Sequence, residues 1–286
     1  MRNIALYMEL SDFYDHGIAR GLLRYAKSKA DWRLYGYGWM FRSLNDLAHW
    51  KGDGIIARVE DSRSADRLSA LDLPVIDVAG AYERPHFRSV TNDDFLTGYK
   101  AGIHLLGCGF TRFAFLGVKG TLWSDQRKKG FEACLAQRLG EYQEPVPRFE
   151  ESLEWWKGPE SPEWGTELGA FLSSLVRPTA LFACNDTTGL RGTELARRLG
   201  LAVPRELAIL GVDNEDILCE LATPSLSSVM LDIEAIGYRA AAALDAVLEG
   251  GGPPAGSRIS VPPKEVAERE STRIFACPDD LVARAA

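Results

Sequence analysis

Polar, charged and aromatic side chains gather just after short apolar runs along this sequence. Glu9 follows IALYM, with Tyr14 and Asp15 close behind; Arg58 follows GIIA, and Asp93 follows SVTN. Asn185-Asp186 follow ALFAC, and Asp213-Asn214-Glu215 follow AILGV. After FAFLGV comes a loop with Trp123, and Arg127 lies one helical turn further. These residue types suit a small polyhydroxylated ligand. Each hydroxyl donates and accepts, and vicinal hydroxyls match the paired lone pairs or donors of a carboxylate or amide. Arginine adds several fixed donors, and a flat ring covers the apolar C–H face of a sugar. A buried hydrogen bond to a charged side chain contributes about 1.5–3 kcal/mol, so selectivity follows from matching hydroxyl positions.

The same residues carry plainer readings. Asp and Asn at strand ends form turns and cap helices. Arg127 could solvate a helix face, as Lys128 and Lys129 do, and Trp155-Trp156 could pack against an edge. Asp213 with Asp186 or Glu215 could form a glycosidase-like carboxylate pair, but no other catalytic signature accompanies them. The sequence has no G-x-S-x-G elbow, phosphate loop, dinucleotide fingerprint or H-E-x-x-H zinc site. Gly107 and Gly109 precede a strand and read as a helix stop. His16, His49, His86 and His104 stand far apart, and His104, between Ile103 and Leu105, reads as a partly buried helix residue. No catalytic residue, metal or cofactor is predicted.

Composition narrows the class. With 46% hydrophobic and 26% charged residues the chain is globular. Its 33 basic and 40 acidic residues leave a net charge of -7, against direct phosphate binding by these residues. Five cysteines lack CxxC spacing, which suggests buried thiols and a reducing cytoplasm. The opening MRNIALYMEL reads as a first strand, not a secretory signal, and no apolar run reaches the roughly 20 residues of a membrane span.

Positioning this set requires alternating strands and helices. Strands are predicted at Asn3–Met8, Trp32–Tyr37, Gly54–Ala57, Pro74–Ala79, Ser89–Asn92, Arg112–Val118, Ala180–Asn185, Leu207–Val212, Leu226–Met230 and Arg258–Val266. Continuous apolar runs among them suit parallel strands covered on both faces. Helices are predicted after Asp15, from Asp94 to the Gly107–Gly109 stop, from Thr187 to Leu199, and from Asp232 to Leu248 before GGGPP. The fold class is therefore α/β. Two sheets of five or six strands are the commoner arrangement for so many strands, and ligands bind at the carboxyl ends of such sheets.

Several segments, in order, resemble the LacI/GalR family of sugar-responsive regulators: IALYMEL…YDHGIARGLLRYA, KGDGIIAR, DDFLTGYKAGIHLLGCGFTRFAFLG, SDQRKKGF, ALFACNDTTGL, LGLAVPRELAILGVDN and PSLSSV…IGYRAAAAL. A narrower match, in YDHGIARGLLRYA, GDGIIA, GVDNED, LSSV, VPPKEVAERESTR and the placing of Trp123 four before Arg127, is to xylose-operon activators. Those activators fuse such a sensor to a carboxyl-terminal AraC-type DNA-binding domain.

The resemblance implies a periplasmic-binding-protein-like, type I fold: two Rossmann-like lobes with parallel sheets, joined by three crossovers. One lobe is expected to hold residues 1–107 and 228–255, the other 108–227 and 256–274. Residues 275–286 are expected to start a linker to a DNA-binding domain absent from this chain. Ligand contacts are implied at Glu9, Tyr14, Arg58, Asp93, Trp123, Arg127, Asn185 and Asp213. Arg127 sits in RxxGF, Asn185 in ACND and Asp213 in GVDN. The family's Asp-Asn before the first-lobe helix is Asp93-Asp94 here. The implied partners are a sugar, with D-xylose favoured, DNA only through the absent domain, and a second copy in a homodimer. No membrane partner is expected. A periplasmic-type sugar-binding protein for transport is the alternative reading.

Overall fold

The computed structural model describes residues 1–29, 31–36, 41, 43–81, 87–140, 146–151 and 165–273. In chain order the elements are β1 (Arg2–Tyr7), α1 (Phe13–Ser28), β2 (Trp32–Gly36), α2 (Leu44–Ala48), β3 (Gly54–Ala57), α3 (Ser62–Ser69), β4 (Val75–Asp77), β5 (Arg88–Asn92) and α4 (Asp94–Gly107). Next come β6 (Phe113–Val118), α5 (Leu122–Leu139), β7 (Arg148–Glu151), α6 (Thr166–Ser174), β8 (Thr179–Ala183), α7 (Asp186–Arg198) and β9 (Leu207–Asp213). The last are α8 (Asp216–Leu221), β10 (Ser227–Met230), α9 (Ile233–Leu248), β11 (Arg258–Val261) and β12 (Val266–Ala267).

Two compact units result. The first joins Met1–Asp93 to Asp232–Pro262; the second joins Asp94–Leu231 to the chain from Pro263 on. The chain thus changes unit three times, as expected. The first unit's sheet runs β11-β5-β4-β3-β1-β2, with every pair parallel. The second runs β12-β10-β9-β8-β6-β7 and is parallel except at β12. The apolar runs explain this. Every residue of β3, β6 and β8 is buried, as strands covered on both faces require.

Three boundaries differ from expectation. The predicted strand Arg258–Val266 splits at Pro262-Pro263: β11 pairs with β5 in the first sheet and β12 with β10 in the second. Two prolines offer no N–H to a ladder, so the strand stops there. Residues 256–262 therefore belong to the first unit, not the second. Strand β10, expected in part in the first lobe, pairs with β9 in the second sheet. Helix α4, expected in the first lobe, packs on α5 and belongs to the second unit. Glycines bring those two backbones together: an ideal Cβ on Gly98 would lie 1.7 Å from the Arg127 carbonyl oxygen, and one on Gly130 would lie 1.8 Å from that of Phe95. The edge strand β7, with sequence RFEE, was not anticipated.

Each unit has its own core. In the second, Phe113, Phe115, Phe131 and Phe182 are fully buried, and their rings meet at centroid distances of 5.1–6.0 Å. Cys108, Cys134, Cys184 and Cys219 are also buried there as free thiols. In the first unit, Asp245 on α9 is 4% exposed and gathers Arg2, Lys29 at 3.0 Å, the Tyr25 hydroxyl at 2.5 Å and the Trp32 indole at 3.3 Å. Burial acts to raise the carboxyl's pKa, but the hydrogen bonds from Tyr25, Lys29 and Trp32 outweigh it and hold the value below its ordinary range. Asp245→Ala is expected to lower stability by about 2 kcal/mol, because several donors lose one acceptor. For a depressed carboxyl the contribution is present above the unfolded pKa near 4 and fades as pH falls through the folded value. Urea unfolding of both proteins at pH 7 and pH 3 checks this: their difference should shrink in acid.

Candidate functional site

The second unit builds a buried arginine centre. Arg127 lies on α5, one turn after Trp123, and is only 4% exposed. Its Nε donates to Asp94 Oδ1 at 2.9 Å and its Nη1 donates to the Cys184 carbonyl at 2.6 Å. Nη1 also stands 3.6 Å from Asp213 Oδ1, and the guanidinium lies 5.2 Å from the Trp123 ring centroid. These partners come from the start of α4, the residue after β8 and the end of β9. Burial acts against the arginine's charge, but Asp94 and Asp213 outweigh it and raise the pKa. Trp123, Arg127 and Asp213 are thus brought together.

Asn185 is placed differently from its neighbours in the expected set. It is the N-cap of α7, and its side-chain oxygen accepts the Thr188 N–H at 2.9 Å. The plainer reading of an asparagine at a strand end applies to that oxygen. Asp213 carries φ 109 and Asn214 φ 55, a left-handed turn at the end of β9.

The first unit builds a second centre around Arg58. Its Nη1 contacts Asp12 and Asp15, the latter at 3.0 Å, and its Nη2 meets Glu60 at 2.9 Å. Burial pushes the Asp15 and Glu60 carboxyls up, and Arg58 pulls them back. Burial also acts against the Arg58 charge, which Glu60, Asp15 and Asp12 more than offset. The guanidinium lies 5.4 Å from the Tyr14 ring centroid. The Tyr14 hydroxyl donates to the Val78 carbonyl at 3.2 Å and accepts from Asn92 Nδ2 at 3.2 Å. Asn92 is buried, and its Oδ1 has no partner among the described residues. A buried acceptor in that state is a place where a ligand hydroxyl gains. Asp93, half-buried, follows β5, and its N–H donates to the Val261 carbonyl at 2.8 Å. Glu9 is exposed in the loop after β1.

Sequence reasoning named Asp15 and Asp213 but overlooked other residues that hold these arginines. Asp94 read as a helix cap but is the principal partner of Arg127. Asp12 and Glu60 carried no strand-end signal of their own, although Asp12 and Asp15 flank Tyr14, and Asn92 read only as the last residue of its strand. Each centre holds more carboxylates than arginines. That balance repels anions and favours neutral hydroxyl donors. Among the described residues no group of three or more His, Cys, Asp or Glu side chains could hold a metal ion. None of their helices is long and apolar enough to cross a membrane. His104 is partly buried on α4, with Nε2 2.9 Å from Thr272 Oγ1, as a helix residue should be. Trp155-Trp156 and the expected linker at 275–286 lie outside the described residues.

A family model described as a periplasmic binding protein-like domain matches residues 103–272, and one described as the XylR N-terminal domain matches residues 3–93. The xylose operon regulatory protein of Escherichia coli K12 is 28% identical over 291 residues, covering 99% of this chain and 72% of that protein. The regulator DegA of Bacillus subtilis is 33% identical over 197 residues, 67% of this chain and 56% of that protein. A solved structure of the xylose-binding transcription activator xylR superposes with a TM-score of 0.82 at 26% identity, covering 99% of this chain and 73% of that one.

Proposed function

Because this chain belongs to the periplasmic-binding-protein-like domain family found in LacI-type and xylose-operon regulators, we propose that it senses a small neutral sugar, with D-xylose the first candidate. The observation that carries this reading is the pair of arginine centres, each rimmed by carboxylates and one aromatic ring. Guanidinium donors and carboxylate acceptors suit vicinal hydroxyls, and the negative surplus disfavours phosphorylated sugars or sugar acids.

In this reading the sugar binds in the interlobe cleft implied by the family resemblance. Tyr14, Arg58 and Asp93 of the first unit and Trp123, Arg127, Asn185 and Asp213 of the second supply contacts, with Glu9 at the rim. Contacts made to both units exist only in a closed form, so the ligand shifts an open–closed equilibrium by its differential affinity. The chain is a sensor without catalytic activity of its own. Its closure is read by a DNA-binding domain beyond this sequence, and the chain works as a homodimer.

Calorimetric titration with D-xylose, beside other pentoses, hexoses and polyols, tests the proposal. Saturable xylose binding is expected. Asp213→Ala should weaken it by about tenfold or more, since a hydrogen bond to a charged group contributes about 1.5–3 kcal/mol. A response to another sugar alone would replace xylose and keep the mechanism. Silence across the panel from folded protein would overturn the sugar-sensing reading.

A further inference from the structure

We infer that Asp186 and Ser228 form a clamp that sets the Asp213–Asn214–Glu215 turn for ligand binding, with Asp186 a positioning residue rather than a ligand contact. The inference rests on the proposed function for its ligand, but its geometry stands within the second unit alone. Asp213 and Asn214 both adopt positive φ, at 109° and 55°. Side chains with a Cβ rarely hold such backbone unless the surroundings over-determine it.

The surroundings here do. Asp186, the first residue of α7, is 1% exposed. Its Oδ2 accepts the Glu215 N–H at 2.8 Å, and its Oδ1 lies 2.6 Å from Ser228 Oγ on β10. Ser228 Oγ in turn accepts the Asn214 N–H at 2.9 Å. One buried carboxyl and one hydroxyl therefore tie down the two backbone amides that follow Asp213. A third anchor comes from Arg269, whose Nη2 donates to Asn214 Oδ1 at 2.9 Å. Strand β9 makes room for the carboxyl: a Cβ on Gly211 would lie 2.2 Å from Asp186 Oδ1. Fixing the turn fixes the Asp213 carboxylate, 3.6 Å from Arg127 Nη1.

Burial and the neighbouring Asp213 carboxylate oppose the charge on Asp186, and the hydrogen bonds from Ser228, Glu215 and Cys219 favour it. The groups that face Asp186 are the Asp213 carboxylate from β9, the Cys219 thiol from α8, the Ser228 hydroxyl from β10 and the Glu215 amide. Arg269 spends its donors on Asn214, Glu220 and the Leu226 carbonyl. Burial first, and Asp213 second, push the Asp186 carboxyl up to about 8. Below that pH the carboxyl carries a proton and is neutral. Above it, two carboxylates oppose each other across the turn. The sign for stability follows: the folded pKa lies above the unfolded one near 4, so stability declines as pH rises from about 4 to about 8 and then levels. Asp186→Asn keeps one accepting oxygen, replaces the other with a donor, and carries no charge.

Hydrogen–deuterium exchange on the ligand-free protein tests the clamp without any sugar. In Asp186→Ala the amides of Asn214 and Glu215 should exchange at least tenfold faster, while those of Leu210 and Val212 in β9 stay as protected as before. Asp186→Asn should keep the wild-type pattern. Ser228→Ala should release Asn214 and spare Glu215, which keeps the test alive if Asp186→Ala does not fold. Unchanged protection of both amides in the alanine variants overturns the clamp. With D-xylose as probe, Asp186→Ala should bind at least tenfold more weakly and Asp186→Asn within about twofold of wild type at pH 7. Wild-type affinity should then fall between pH 7 and pH 9, while that of Asp186→Asn stays level. Binding that ignores the alanine substitution overturns the positioning role. If the wild-type chain binds no sugar, the sugar-sensing reading fails, and the exchange result still decides the clamp.

Discussion

Replacing Arg127 with alanine is expected to lower the stability of the second unit by about 3–5 kcal/mol and to remove measurable sugar binding. The first effect comes from what stays behind. Asp94, buried beside Arg127, loses its cation, and the Cys184 carbonyl loses a donor at 2.6 Å. Breaking a buried pair from one side is severe because the remaining charge is desolvated without compensation. The second effect follows from the Trp123 ring and the Asp213 carboxylate, both organised around the same guanidinium. Arg127→Lys separates the two. It keeps the charge near Asp94 but loses the planar fork, so it should recover part of the stability and little of the binding. Urea unfolding and calorimetry on the three proteins measure both quantities. A stability loss below about 1 kcal/mol for the alanine variant would show that the centre contributes little to the fold.

Gly98→Ala is the second large effect, with an expected loss of about 3 kcal/mol or more. The added methyl would meet the Arg127 carbonyl oxygen at 1.7 Å and the Phe131 nitrogen at 2.9 Å. Both are backbone atoms of a helix, which cannot swing aside as a side-chain tip does. The clash would push α4 away from α5 and carry Asp94, one turn before Gly98, off the Arg127 Nε. Gly107→Ala, at the end of the same helix, meets nothing within 4 Å. It should change stability by less than about 1 kcal/mol. Thermal unfolding of the two variants side by side is decisive: equal losses would mean that close approach of the helices does not matter. The first unit repeats the device between α1 and α9, where a Cβ on Gly21 would lie 2.0 Å from the Glu234 carbonyl oxygen and one on Gly237 would lie 2.1 Å from that of Ile18.

Much of this architecture is legible in the residues. IIA, FAFLGV and ALFAC read as doubly covered strands because nothing polar interrupts them, and they are buried along their full lengths. The polar residues after each run mark the carboxyl ends of strands, which is how Trp123, Arg127 and Asp213 could be named before they were seen together. Edge strand β7 was invisible because RFEE has no buried run to announce it. Assigning α4 to a unit was harder, since amphipathic spacing shows that a helix has an apolar face but not which sheet receives it. The usable signal was the Gly98 and Gly102 pair, one turn apart, facing Arg127, Phe131 and Cys134. Asn185 shows a different difficulty: one residue type serves capping and ligand contact equally well, and its oxygen is engaged in the cap. Asp12 and Glu60 were missed as partners of Arg58 because the guanidinium gathers the start of α1 and its own loop after β3, and the first of these relations is not local in the sequence.

The described cysteines, Cys108, Cys134, Cys184 and Cys219, all lie in the second unit. The four described ones are buried, and burial raises the pKa of each thiol, to about 11 for Cys108 and about 12 for Cys184. Since only the thiolate attacks an electrophile, these four react when the second unit opens and hardly at all before. Read at these four thiols, an alkylating reagent is therefore a clock wired to one half of the molecule. Its rate at low reagent reports the opening equilibrium, and its plateau at high reagent reports the opening rate. Comparing that opening free energy with the global value from denaturant shows whether the two units melt as one block. A smaller value would mean that the half carrying Arg127 breathes while the half carrying Arg58 stays folded.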